Sequence, residues 1–287
     1  MTDRWEPHDR SALEQIRRFE LDQPSATAEV LGAHLAALQM GQAILLNVTA
    51  HVLQLSNVAD EDTPVLFLPH TIIDDLRQVE LNLGLGYTVP AAIALRDAIE
   101  ACALCALFSK EPDHARPYFD GAEFKPSDVR KRLLELGLNK GFVAYLWFMY
   151  DFLSRFAHPN VDRLAHVTDE RSTPEGVIRT YNAGATRAPN KLRLIGQGAM
   201  GALVPLVLLT TDALARFLSD HDNAIVRATI RDLTAKCGPL VATAVSSAAI
   251  EEPDESRAYA ARLRRRFAKQ RELLDAALAH LKVDAQE

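Results

Sequence analysis

Apolar residues recur every three or four positions along most of the chain, which is the spacing of helices that pack one side on a core. This pattern predicts the following helices: Ser11 to Leu21, Ser25 to about Ser56, Leu68 to Leu83, Thr88 to about Phe108, Lys125 to Leu136, Gly141 to His158, Gly198 to Ser219, Ala224 to Ala249 and Asp254 to Leu281. Residues 164–193 differ, because polar, glycine and proline residues there surround two short extended runs. That stretch predicts a long loop or a small β-hairpin.

The fold class expected from this pattern is all-α, a multi-helix bundle of about 8–10 helices with one long loop or small β-hairpin near 164–193. Because no linker is long enough to separate domains, we expect a single domain over residues 1–287. Its core bundle is expected over about 25–221. The C-terminal helices, over 224–281, are expected to pack on that core or to serve association.

Composition narrows the class of protein. The 287 residues are 48% hydrophobic and 24% charged, which is typical of a globular chain and excludes a disordered one. A net charge of −6 gives no general basic coat for nucleic acid. The three cysteines are an odd number in a long chain, which favours a reducing cytoplasm over a disulfide framework. The first ten residues lack the apolar run of a signal peptide.

Two uncharged stretches have the composition of candidate membrane spans. Val30 to Ala59 contains no Asp, Glu, Lys or Arg, but polar residues interrupt it and its leucines and valines recur at helical spacing. Gly196 to Thr211 is shorter and contains Pro205. Both stretches therefore predict core helices. We expect a soluble, cytoplasmic protein with no membrane partner.

A glycine motif raises the question of a dinucleotide site. Gly196-x-Gly198-x-x-Gly201 has the spacing of a phosphate-binding loop, and Leu192 to Ile195 before it is compatible with a strand. That chemistry needs alternating strands and helices around the motif, whereas the flanking sequence is helical. We interpret the motif as a glycine-rich helix entry that packs tightly on a neighbour.

Three further groups carry side chains that can bind metals: Cys102 and Cys105; Glu111 and His114; and Asp74, Asp75 and Glu80. None has the second motif that its metal chemistry requires. We interpret the two cysteines as buried small residues, and the last group as a solvated helix face with Arg77 as a local partner. No metal and no cofactor is expected.

The C-terminal helix carries the dense basic segment of the chain: Arg257, Arg262, Arg264, Arg265, Arg266, Lys269 and Arg271. Such a segment can contact phosphates. Because Arg257, Arg264 and Arg271 recur every seven residues on one side, a surface helix is the interpretation we favour.

The main candidate site begins on the helix that contains residues 89–108. That helix is apolar on nearly every side except at Arg96, Asp97 and Glu100. Arg96 and Glu100 are four residues apart and share a face. A buried charge needs a partner, so this pair requires each other or further polar groups. If the pair is structural, Glu100→Ala is expected to cost about 3–5 kcal/mol, because Arg96 loses its partner.

The aromatic helix that ends before Pro159 supplies those polar groups. Tyr150, Ser154 and His158 lie at positions i, i+4 and i+8 and form one polar stripe. His158 is at the predicted helix C-terminus, where the helix dipole favours the charged imidazole. Arg155 is adjacent to the stripe.

These two helices resemble a known group of proteins. The segment Leu95-Arg96-x-x-x-Glu100, followed by Tyr150-x-x-Leu153-Ser154-x-x-x-His158, is similar to a family of uncharacterised bacterial all-α proteins with L-R-x-x-x-E and Y-x-x-L-S-x-x-x-H helices. That family is itself similar to HEPN-type helical domains of abortive-infection and toxin systems. The resemblance covers about residues 30–220. It implies an all-α bundle with a polar site at Arg96, Glu100, Tyr150, Ser154 and His158, and it implies no particular activity.

HEPN ribonucleases carry an R-x4-6-H motif, and this sequence departs from it. No arginine lies five to seven residues before His158, and Arg155 is only three residues before it. The literal match from Arg216 to His221 is what chance gives in a chain with many arginines.

Three functions remain open. The first is a cytoplasmic helical protein that uses the internal polar cluster for structure or to bind a small ligand. The second is a metal-independent ribonuclease of a toxin or phage-defence system that acts on RNA, with His158 as general base and Arg96 or Arg155 stabilising phosphate charge. The third is an interaction module that forms a homodimer through the long C-terminal helices.

Overall fold

A computed structural model describes residues 11–55, 62–157, 168–173, 176–181, 186 and 189–246 of the chain. The described part contains these α-helices: α1 (Ser11–Leu55), α2 (Thr63–Gly84), α3 (Thr88–Lys110), α4 (Ala115–Phe119), α5 (Pro126–Glu135), α6 (Lys140–Ala157), α7 (Pro189–Leu214) and α8 (Asp220–Ser246). Single 3₁₀ turns occur at Pro112–His114 and Ala215–Phe217. The expected all-α multi-helix bundle is confirmed. His158 and the helix predicted over Asp254 to Leu281 lie outside the described residues.

The segment between α6 and α7 contains two strands, β1 (Thr168–Thr173) and β2 (Gly176–Tyr181). They pair antiparallel, with Thr168 opposite Tyr181 and Thr173 opposite Gly176. Of the two structures predicted for this region, the chain therefore adopts the hairpin.

The helices pack as consecutive hairpins around α3. α2 turns back on α1, so Gln39 of α1 donates to Glu80 of α2 at 2.7 Å. α3 turns back on α2, so the Cys105 thiol reaches the carbonyl of Val65 at 3.7 Å. α7 packs on α1 and α3, and α8 packs on α7 and α1. α5 and α6 pack on the remaining side of α3, which makes α3 the central helix.

The composition of α3 explains its central place. Every residue from Ala101 to Phe108 is buried, because the helix meets neighbours on all sides. Cys102 and Cys105 are buried free thiols, as predicted. Burial raises the pKa of Cys102 to about 12 and raises that of Cys105 well above its usual value, so both thiols stay protonated.

The predicted break at Ser25 is wrong, because α1 continues through Pro24 without a new start. Proline removes one helical hydrogen bond, yet tertiary contacts hold the turn before it, and Thr27 and Leu31 after it are fully buried. Glu20 accepts a hydrogen bond from the Tyr87 hydroxyl, and Gln23 donates to the carbonyl of Thr186 at 2.9 Å. Gln23 also donates to the Thr27 hydroxyl at 3.1 Å, a hydrogen bond that spans Pro24.

The strand considered for Leu192 to Ile195 is also wrong, since α7 already begins at Pro189. The motif from Gly196 to Gly201 therefore lies inside a helix and not at a strand-to-helix turn. A Cβ at Gly196 would lie 2.8 Å from Cδ2 of Leu31, so this glycine lets α7 approach α1 closely.

Two described helices are long and apolar enough to cross a membrane by length and composition, Glu20–Leu55 and Lys191–Phe217. Core helices of soluble proteins pass the same test. The apolar window is 83% buried within the bundle for the second helix and 44% buried for the first. The second is therefore a core helix, whereas the first leaves much apolar surface exposed.

Candidate functional site

The antiparallel packing of α6 on α3 brings three of the predicted site residues together. α6 is capped by Asn139, whose side-chain oxygen accepts the backbone N–H of Phe142 at 3.1 Å. Tyr150, two to three turns further on, lies against α3. Cζ of Arg96 is 5.9 Å from the centroid of the Tyr150 ring, and the Tyr150 hydroxyl is close enough to the Glu100 carboxyl to lower its pKa.

Arg96 takes its ionic partner from the next residue of its own helix. Its Nη2 and Nε lie 2.8 and 3.0 Å from Oδ1 of Asp97. The Arg96 side chain is 24% exposed and that of Asp97 44%, so the cluster opens to solvent. The premise that Glu100→Ala would leave Arg96 buried without a partner does not hold. The expected cost of about 3–5 kcal/mol is therefore too large, since breaking a buried ion pair is what costs that much.

The other predicted site residues are not part of this contact. The Ser154 hydroxyl donates to the backbone carbonyl of Tyr150 at 2.8 Å, so it serves its own helix. Arg155 is partly buried near the end of α6. His158 lies outside the described residues, and its place in the stripe stays a prediction.

The electrostatic state of Glu100 and Tyr150 follows from their partial burial. Burial and the charge of Asp97 raise the pKa of Glu100, and the charge of Arg96 and the nearby Tyr150 hydroxyl only partly oppose this. Burial and the neighbouring Glu100 charge both raise the pKa of Tyr150. Tyr150 is therefore a neutral hydrogen-bond donor, and Glu100 is a carboxylate that gains from a nearby cation.

Asp75 of α2 belongs to this neighbourhood and was not predicted as a site residue. Burial, together with the charges of Asp97 and Asp74, raises its pKa to about 7, and its Oδ2 is buried without a hydrogen-bond partner. A signal for this proximity exists in the sequence. Asp75 and Asp97 are the same number of residues from Gly86, which lies in the turn between α2 and α3. Antiparallel packing of the two helices therefore places them opposite each other.

We expect Asp75→Asn to stabilise the protein above neutral pH. In the wild type the folded state holds a proton that the unfolded chain releases, so stability falls as pH rises from about 4 to about 7. The carboxyl is partly solvent-screened, so we expect a gain of about 1–2 kcal/mol at pH 8 and little difference at pH 4. Urea denaturation of the wild type and of Asp75→Asn at pH 4 and pH 8 measures this difference in the free energy of unfolding.

The matched control is Asp74→Asn, which removes the adjacent exposed charge but keeps the buried carboxyl. This variant should retain the fall in stability between pH 4 and pH 8. An equal pH dependence in the wild type and in Asp75→Asn would contradict the assignment.

Glu80 forms a separate polar cluster, and its interpretation as part of a solvated face is wrong. It is 8% exposed, and its carboxylate accepts hydrogen bonds from Gln39, Gln42 and Arg77 at 2.7, 3.1 and 2.6 Å. Burial alone would raise its pKa, but these donors and the Arg77 charge outweigh it and lower the pKa. The carboxylate is satisfied by the chain itself, which gives it a structural role.

The remaining ligand-type residues do not converge on a metal. On the surface, Glu111 pairs with Arg132 and lies 3.2 Å from Nε2 of His114. Among the residues that the structure describes, no group of three or more His, Cys, Asp or Glu side chains is placed to hold a metal ion.

A cleft lies beside the cluster, between α3, α5 and α6. The cleft is shallow, with an interior volume of about 10 Å³, room for about one water molecule. It is lined by Ile99, Glu100, Ala103, Pro126, Val129, Trp147 and Tyr150. Its accessible wall is apolar, and the carboxyl of Glu100 adds no polar surface to it. Trp147 and Pro126 were not predicted as site residues, because only the packing of α5 and α6 brings them to α3.

The acidic group among the residues that line the cleft is Glu100. Its neighbour on α3, Asp97, is already paired with Arg96. Clefts lined by one sign of charge concentrate ligands of the opposite sign.

Comparison of the chain with models of protein families, with curated proteins and with solved structures finds no match.

Proposed function

We propose that the protein binds a small ligand with a cationic amino group at the mouth of the cleft between α3, α5 and α6. The observation that carries this proposal is that the half-buried Glu100 lies beside Tyr150 and Trp147 at this cleft. A carboxylate beside two aromatic rings is the chemistry that recognises an ammonium group, through a charge-assisted hydrogen bond and cation–π contact. Ile99 and Val129 offer apolar contact for a short carbon chain.

The size of the cleft limits what can enter it. Pockets for drug-sized molecules measure about 300–1,000 Å³. The interior volume here is about 10 Å³, room for about one water molecule, so a ligand would lie mainly across the mouth. A nucleotide with its phosphates needs more room.

The charges favour this function over the ribonuclease alternative. Two of the three nitrogens of Arg96 face Asp97, so a phosphate would have to compete with a carboxylate that is already bound. The neighbouring Asp75 and Glu100 add further repulsion for a phosphodiester. The ribonuclease alternative also depends on His158, which stays untested.

The test uses Trp147 as a reporter in the cleft. The chain has two tryptophans, so Trp5→Phe leaves Trp147 as the sole indole fluorophore. We expect n-butylammonium to change its fluorescence saturably, and n-butanol and butyrate to have little effect. Glu100→Gln should weaken n-butylammonium binding at least about tenfold, because the charged partner is lost. The exposed Glu123→Gln is the matched control.

The pH dependence provides a second readout. A cation binds the ionised form of Glu100, whose pKa is raised by burial. Affinity should therefore fall as pH decreases through that pKa, and Glu100→Gln should remove the dependence. An equal response to n-butanol and n-butylammonium, or tight binding by Glu100→Gln, would refute the proposal.

RNA cleavage distinguishes the alternative. Incubation of the wild type with RNA in a metal-free buffer should leave the RNA intact. Cleavage that is lost in His158→Ala, together with growth arrest on expression, would replace ligand binding by the ribonuclease function.

A further inference from the structure

The outer face of α1 has the composition of an interface. From Val30 to Leu55 the helix contains no charged side chain other than the titratable His34 and His51. Leu46 and Leu53 are 50% and 37% exposed. The exposed face also carries small apolar residues: Ala33, Ala36, Ala43 and Ala50. A surface helix normally presents charged residues on this side, so an uncharged face over seven turns marks a contact surface.

The borders of this face show where it lies. On one side, Gln39 and Gln42 bond to Glu80 of α2. On the other side, Nε2 of His51 lies 3.6 Å from the Asp222 carboxylate of α8. The uncharged face of α1 therefore lies between α2 on one side and α8 on the other.

We propose that the C-terminal segment 254–281 of the same chain packs on this face as a helix parallel to α1. The course of α8 places that segment near the face. α8 begins beside His51 and runs back along α7, whose N-terminal part lies against Leu31 of α1. The helix α8 ends at Ser246. This places Ser246 near Val30, where the uncharged face of α1 begins.

The length that remains is sufficient. Residues 247–287 follow α8, and 254–281 has a helical pattern. A helix of that length spans about 42 Å, which equals the length of α1 from residue 28 to residue 55. The intervening residues 247–253 allow the chain to turn back.

The pattern of the segment complements the face. Apolar side chains fall on one side of such a helix at Tyr259, Leu263, Phe267, Leu274, Leu278 and Leu281. Its basic residues lie between Arg257 and Arg271, in the half that would start beside the exposed Glu29. Its last half is rich in leucine and alanine and would lie where α1 presents Leu46 and Leu53. The parallel direction follows from the course of α8, which ends at the start of the uncharged face.

Hydrogen–deuterium exchange of the full chain tests this proposal. We expect 254–281 to be protected in the wild type. In the double variant Leu46→Asp, Leu53→Asp we expect exchange of 254–281 to accelerate at least about tenfold, while α3 stays protected. Leu81→Asp, at a leucine 44% exposed on α2, is the matched control and should leave 254–281 protected.

Cross-linking tests the direction of the proposed helix relative to α1. This test does not depend on whether the double variant folds. A short bismaleimide should join Ala50→Cys to Ala277→Cys within one chain. It should not join Ala33→Cys to Ala277→Cys, because these lie at opposite ends of the proposed helix pair. The native cysteines are buried and compete little.

Four results would overturn the proposal. They are unprotected exchange of 254–281 in the wild type, cross-linking only from Ala33→Cys, cross-links only between two copies with a dimeric mass in sedimentation, and binding of the wild type but not of the double variant to phosphatidylcholine vesicles. The last two would assign the face to a second copy and to a membrane surface.

Discussion

Phe108→Ala is expected to lower the free energy of unfolding by about 3–5 kcal/mol, since truncation of a buried phenylalanine removes apolar contact and leaves a cavity. Phe108 is fully buried at the end of α3. Its ring centroid is 5.3 Å from that of Tyr118 and 5.5 Å from that of Phe124. It therefore anchors the segment between α3 and α5 to the central helix.

The matched control is Phe67→Ala on α2, where the same side chain is 57% exposed. Its truncation should cost less than about 1 kcal/mol, because little apolar area leaves water there on folding. Equilibrium urea denaturation of the three proteins measures the difference. Similar costs for the two phenylalanines would show that Phe108 is not the anchor described.

Gly86→Ala is expected to lower the free energy of unfolding by about 2–4 kcal/mol, because it adds both backbone strain and a steric collision. Gly86 has φ +78°, which a residue with a side chain rarely adopts. A Cβ there would lie 2.7 Å from Nε2 of Gln23 and 2.7 Å from the carbonyl oxygen of Thr186. The Gly86 carbonyl also accepts the backbone N–H of Thr186 at 2.9 Å. The turn between α2 and α3 is thus held to α1 through Thr186.

Gly121→Ala separates the two contributions. Gly121 has φ +86°, but nothing lies within 4 Å of a Cβ built there. This variant should show the backbone strain alone, about 1 kcal/mol. Thermal and urea denaturation of both variants gives the comparison. Equal costs at Gly86 and Gly121 would mean that the contact with Gln23 and Thr186 contributes nothing.

The candidate site was only partly accessible from the sequence. Arg96 and Glu100 could be found because charged residues are conspicuous in an apolar helix, and Tyr150 because it begins a polar stripe at helical spacing. These signals lie within one helix each. Asp75 and Trp147 come from other helices, so their presence depends on how α2 and α6 dock on α3. The pairing of Arg96 with Asp97 was also open, since side-chain rotamers decide it.

The sequence by itself determined the all-α class and the approximate span of most helices, because the spacing of apolar residues is a local property that any amphipathic helix must satisfy. Predictions from local sequence were wrong where contacts between residues far apart in the sequence stabilise the structure. Contacts to Tyr87 and Thr186 carry α1 through Pro24, and close packing on Leu31 places Gly196 inside α7. Glu80 is a buried carboxylate because two glutamines of α1 join Arg77 in donating hydrogen bonds to it. Tertiary structure decided these features, since burial and hydrogen-bond partners depend on which helices meet.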